Sequence, residues 1–226
     1  ADGQITINGG GLNIQVTGRS DGSEGLESKS KITVNDGEVF VYAYDDAINV
    51  GGDSPVGLEI NGGKIFAFAD NNDGIDSNGK LWVNGGLVIA SGSGAPEEGL
   101  DCDNRQNFIV TGGTLIGTGG AAISTSTSST QRSVIYNGVS AKTGELFVIA
   151  DADGNPVLKY ELPRTMNGMS LFFSSPDIKS GKTYTVYSGG SLSGNTVNWN
   201  GWFEDGSYAA GTELGTFTSN SLTTTV

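Results

Sequence analysis

The chain has 226 residues, no histidine, a single cysteine and a formal net charge of −13. Without histidine it lacks the commonest general base, most zinc sites and every Ser-His or Cys-His nucleophile pair. The acidic balance argues against nucleic acid, which rewards basic faces, and 37 glycines among many Thr, Val and Ile predict an all-β chain rich in turns.

In chain order, the first half is an imperfect repeat of 23 to 27 residues, each copy a strand, an Asn-Gly corner, a second strand and an acidic turn. The first strands with their corners are Ile5 to Gly10, Ile32 to Gly37, Leu58 to Gly63, Leu81 to Gly86 and Phe108 to Gly113. The acidic turns are Ser23 to Glu27, Asp45 to Asn49, Asn72 to Asp76 and Glu97 to Asp101. A period of this length signals a solenoid in which each copy is one coil.

Alternation sorts the side chains of each coil. Ile32/Val34 and Leu58/Ile60 share a face before the corner, Val39/Val41 and Ile65/Ala67 share one after it, and Leu26, Ile48, Ile75 and Leu100 recur in the acidic turn. Three inward sets per copy predict a three-sheet parallel β-helix with a core continuous along its axis. Asn8, Asn35, Asn61 and Asn84, with Thr111 in the fifth coil, share the corner. Stacked, their amides predict a structural asparagine ladder. The glycines after them (Gly9, Gly62, Gly85, Gly112) are expected to take positive φ.

The acids form columns. One reads Glu24, Asp46, Asp73, Glu98, its predecessor Ser23, Asp45, Asn72, Glu97, and three residues on stand Glu27, Asn49, Asp76 and Asp101. Equivalent positions in stacked coils lie about 4.8 Å apart, where carboxylates repel. Arg19, Lys29 and Arg105 fall outside the columns and are too few to balance them. Calcium matches, because it takes carboxylate, amide and carbonyl oxygens together, and the absence of His and of a Cys cluster argues against transition metals. A plain solvated acidic edge is the alternative. Cys102 follows Asp101 in the slot held by Ser28, Val50 and Ser77, and reads as a small buried filler.

Outward positions after the corner stack as Asn13, Phe40, Phe66, Ile89, Ile116 and, beside them, Gln15, Tyr42, Phe68, Ser91, Thr118. Phe40, Tyr42, Phe66 and Phe68, with Trp82, are candidates for stacking against sugar rings. A terminal segment or another subunit covering the patch is the equal alternative.

Residues 1–130 are thus predicted as regular coils. Ser124 to Thr130 reads as the loop where they end, or as a linker. From Gln131 the acids and the period fade, and residues 131–226 are predicted as longer-looped coils continuing the stack, with a C-terminal cap over its end to which Trp199, Trp202 and Phe203 are expected to contribute, a second binding loop being the alternative for these three. A separate small β-domain is the alternative. Asp151 to Asn155 opens like an EF-hand loop, but no acid follows at the required distance, so it reads as a hairpin turn. No signal peptide or apolar span is present. Low lysine and high Thr, Ser and Asn suit an extracellular or cell-surface protein.

The unit strand-AsnGlyGly-strand-AspAspGlyIleAsp appears as Thr33 to Gly37 with Tyr44 to Asn49, and as Ile60 to Gly63 with Asn71 to Asp76. On these residues, closely over 1–125 and again at Ser174 to Gly190, the chain resembles secreted bacterial carbohydrate-binding-domain β-helix proteins. They are similar in fold to polysaccharide lyases of the pectate lyase type. The resemblance implies a right-handed parallel β-helix, Ca2+ in the acidic turns, and binding of polysaccharides such as pectic acid or cellulose. Ala47 stands where that pattern has Gly, and Asn49 and Ser23 where it has acids.

The expected function is therefore a calcium-loaded β-helix that binds polysaccharide without catalysis. A calcium-dependent lyase acting by β-elimination, with Arg19, Lys29 or Arg105 as base, is the alternative. A structural or adhesive surface module is a third reading. An inverting hydrolase ranks last, because acids committed to a metal make poor general acids.

Overall fold

The computed structural model describes residues 1–52, 57–194 and 197–226. The fold is all-β, with a β-solenoid of about four turns in its first half. Among the described residues a single 3-10 turn, Arg105–Asn107, is the helical element, and no helix is long and apolar enough to cross a membrane.

The repeat becomes the stack. Ile5–Gln15 and Lys31–Ala43 each run through the Asn-Gly corner as one bent strand, whereas later coils split there: Gly57–Ile60 with Lys64–Ala69, Leu81–Val83 with Leu87–Ser91, Phe108–Val110 with Thr114–Gly119. All pair in parallel, in the predicted register. Ile32 lies beside Leu58, Leu58 beside Leu81, and Leu81 beside Phe108. After the corner Val39 meets Ile65, Ile65 meets Val88 and Val88 meets Leu115. Leu26–Ser28, Ile48–Val50 and Ile75–Ser77 form a parallel sheet of their own, extended by a bridge from Ile75 to Leu100. The inward residues of all these strands make one core, including Cys102, which is fully buried with Sγ 3.2 Å from the Gly79 carbonyl.

At the corner the asparagine ladder forms. Asn35 donates to Asn8 at 2.7 Å, Asn61 to Asn35 at 2.9 Å and Asn84 to Asn61 at 2.8 Å, and the Thr111 hydroxyl continues the row to Asn84 at 2.6 Å. The glycines divide the work differently from the expectation. Positive φ falls mainly on the second glycine of each pair (Gly63 +81°, Gly86 +89°, Gly113 +88°). Gly62 is needed instead for close approach: a Cβ there would sit 2.6 Å from the Asn35 carbonyl oxygen of the coil beneath.

From Gln131 the pairing changes character. Met166–Ser174 lies antiparallel against Thr114–Gly119 and against Ser133–Ala141. Leu146–Asp151, Pro156–Glu161, Thr183–Ser193 and Ser207–Thr218 then form an antiparallel sheet, extended by Asn198–Trp199 and Trp202–Phe203. The expected continuing coils would have paired in parallel. Short connections such as the Asp151 turn, whose carboxylate accepts from the amides of Asp153 and Asn155, can only reverse a strand, whereas parallel pairing needs a long crossover.

This second half lies over the solenoid face that follows the corner. Phe66, Leu87, Ile89 and Ile116 point outward from the coils and join Phe147, Leu158, Tyr160 and Phe173 in a second core. Strands such as Leu87–Ser91 are consequently buried on both sides. Ile135 and Phe172 enter the solenoid core beside Phe108. Trp199 and Trp202, expected over the end of the stack, pack against the second core.

Candidate functional site

The acidic turns place their side chains along the sheet that carries Leu26, Ile48 and Ile75. Because Glu27, Asn49 and Asp76 are register partners on adjacent strands, the columns read from the sequence are columns in space. Carboxylate oxygens of Asp73, Asp76 and Asp101 lie within 4.8 Å of one another. Asp76 Oδ1 of this group and, in the preceding coils, Glu24 Oε2 and Asn49 Oδ1 are buried with no hydrogen-bond partner among the described residues.

The remaining predicted ligands are partly committed elsewhere. Asp46, Asp73 and Glu98 each spend one oxygen on a backbone amide of the next coil: Asp73 N at 3.0 Å, Glu98 N at 2.5 Å and Ile123 N at 2.9 Å. That leaves the second oxygen of each for another role. Asp45 accepts from the Asn72 amide at 2.8 Å and from Gly22 N. Glu27 is held by Lys29, which lowers its pKa. Glu97 is raised by burial and by Asp101. Asp103, not singled out in the sequence, adds its charge beside Asp76 and Asp101; only its spacing of two from Asp101 hinted at it.

Burial dominates the electrostatics. It pushes the Asp46 carboxyl to about 7, Asp73 to about 8, Asp76 to about 7 and Glu98 to about 8, with neighbouring acids adding to each. Glu24 and Asp101 are raised for the same first reason. Folding with bare carboxylates is therefore unfavourable at neutral pH. Raised acids favour the folded state while protonated, so their contribution is full below the ordinary carboxylate range near pH 4 and lost as the pH climbs through about 8. Thermal melts in a chelator are expected to fall steadily across that window. A flat profile would mean that water, and not burial, sets the field of the column.

The oxygen-only donor set, the unpartnered buried oxygens and the absence of histidine fit a hard divalent cation such as calcium. The residues that would hold it are Asp73, Asp76 and Asp101, with Glu24, Asp46 and Asn49 in the adjoining part of the column.

The outward aromatics stack from coil to coil, Phe40 on Phe66 at 5.1 Å and Tyr42 on Phe68 at 5.4 Å. They are not an open platform. Phe66 is only 7% exposed within the second core, with Phe40 and Phe68 packed against it, and the Arg164 guanidinium lies 4.1 Å above the Phe68 ring. Trp82 alone of the five candidates stands on an uncovered face, 36% exposed, with Lys80 5.8 Å over its ring. Tyr42 lies at the margin and donates its hydroxyl to Asp70 at 2.5 Å, an acid the sequence reading passed over because it precedes the acidic turn.

The three basic residues considered as a lyase base are separated by the fold. Arg19 pairs with Asp70 at 3.5 Å, Lys29 is held by Glu27, which raises its pKa, and Arg105 lies exposed on the 3-10 turn. The Glu27 pairing favours the protonated state of Lys29, the opposite of what a base requires.

Against this geometry, residues 1–69 match the model of a family described as carbohydrate-binding domain-containing protein. The match spans the first two coils and part of the third. No curated protein and no solved structure matches the chain.

Proposed function

We propose that this protein is a non-catalytic glycan-binding solenoid whose acidic column is filled by calcium. The match of residues 1–69 to a carbohydrate-binding domain family carries the glycan half of this reading. The unpartnered oxygens of Glu24, Asn49 and Asp76, beside the Asp73, Asp76 and Asp101 carboxylates, support the calcium half. The solenoid is read as a right-handed, three-sheet helix working at the cell surface or outside the cell, where calcium is plentiful. Polysaccharides of pectic or cellulosic type are the ligands it would take. A cation supplies positive charge where the chain has almost none, so that an acidic protein can hold an acidic glycan.

Affinity electrophoresis tests this directly. In gels cast with polygalacturonan or hydroxyethylcellulose, the protein should be retarded in calcium, and the retardation should weaken in a chelator while circular dichroism still reports a β fold. Equal mobility in every gel with calcium would sink the glycan reading and leave the column a structural role.

A further inference from the structure

The five aromatics expected to form a sugar platform are mostly covered, yet the cover stops at the first coil. There the outward row that reads Phe66 and Phe68 in the third coil, and Phe40 and Tyr42 in the second, becomes Asn13 and Gln15. Asn13 is paired with Phe40 and Gln15 with Tyr42, and both polar side chains are exposed. The second core thus ends in a strip with aromatic rings on one side and amides on the other.

Two hollows lie along this strip. One, of about 450 Å³, is lined by Asn13, Glu38, Phe40, Trp199 and Asn200. The other, of about 350 Å³, is lined by Gln15, Arg19, Tyr42, Tyr44 and Asp70. Both are built on the same pair of parallel strands, and the distance from Asn13 to Thr17 is about 13 Å at the ordinary strand rise. Together they have the length of a short oligosaccharide, with a ring surface and hydrogen-bonding groups at each end. Lys64 lies 5.9 Å over the Trp199 ring and 3.9 Å from Glu38. Arg19 pairs with Asp70 and is largely exposed. The first hollow has aromatics, an acid and amides in its lining, with Lys64 beside Trp199 and Glu38, and the second has aromatics, an acid, an amide and a cation. This is the mixture a polyhydroxylated ligand needs: apolar faces for its C–H surfaces and fixed polar groups for its hydroxyls.

We infer that a linear glycan binds along this cleft, lying on the first two coils between Trp199 at one end and Tyr44, Arg19 and Asp70 at the other. The inference rests on the glycan-binding reading and gives it a place. All the lining residues except Asp70, Trp199 and Asn200 fall within the segment that matches the carbohydrate-binding family. Trp199 and Asn200 come from the second half of the chain, so the cleft is completed only when that half docks.

The test is affinity electrophoresis in polygalacturonan and in hydroxyethylcellulose, both with calcium. Variants are Tyr44→Ala, Trp199→Ala and the double variant Asn13→Ala/Gln15→Ala, with Trp82→Ala on the separate open face as comparison. The double variant changes only exposed side chains, so it folds even if Trp199→Ala does not. At least tenfold weaker binding in the cleft variants, with Trp82→Ala unchanged, is the expected result, and the gel in which it appears identifies whether acidic or neutral sugars are held. Wild-type retardation in folded cleft variants, or its loss in Trp82→Ala alone, would overturn the cleft while leaving glycan binding intact. An unretarded wild type in both gels would overturn the two together.

Discussion

Calcium at a hundredfold excess over its dissociation constant should stabilise the fold by about 2.7 kcal/mol for each site filled, which raises the melting temperature of a chain of this size by about 5–11 °C. The reason lies in the field of the column. Asp73 and Asp76 are forced upward by burial first and by each other's neighbours second. At neutral pH the metal-free protein must either hold these protons or bear buried negative charge. A cation removes that conflict and engages oxygens that no group among the described residues satisfies.

Asp76→Asn makes the argument sharper, because its effect should change sign. In a chelator at pH 8 the substitution removes a carboxylate held at about 7 by burial and by Asp101 and Asp103, so the variant should melt above the wild type. In calcium it removes a charged ligand from the cluster with Asp73 and Asp101, and should melt below it. Circular dichroism melts of both proteins in both buffers decide the matter. If the variant is weaker in both, Asp76 acts through hydrogen bonding and the column is not a cation site.

The second large effect belongs to Phe66. Truncating it to alanine should cost about 3–5 kcal/mol, because its ring is sealed between Phe40 and the antiparallel sheet. Trp82→Ala, on the open face, should stay within about 0.5 kcal/mol of wild type. Urea unfolding monitored by circular dichroism measures both. A near-neutral Phe66→Ala would mean that the second half of the chain does not press on the solenoid in solution. The contrast matters for function, since an aromatic that holds two halves together is not free to hold a sugar.

The sequence by itself determined the solenoid, its register and its acidic column. Each coil repeats about 25 residues later, so sequence neighbours at that spacing become spatial neighbours, and Asn35 meets Asn61 for the same reason that Asp76 meets Asp101. Even the split between inward and outward side chains follows from the strand period alone. The uses of individual acids were another matter. That Glu27 is taken by Lys29, that Asp45 is taken by Asn72 and that Asp70 joins Tyr42 and Arg19 depends on which rotamers meet within a coil and across coils.

Only the tertiary structure decided the fate of the outer face. Residues 131–226 have no period to propagate, and their partners lie far away in the chain: Leu115 pairs with Ser174, and Phe66 shares a core with Phe147 and Leu158. An outward Phe on a parallel sheet is equally suited to stacking a sugar or to seating another sheet, because both bury the same apolar area. What distinguishes them is the surface that arrives from elsewhere in the chain, and alternation along one strand carries no record of that.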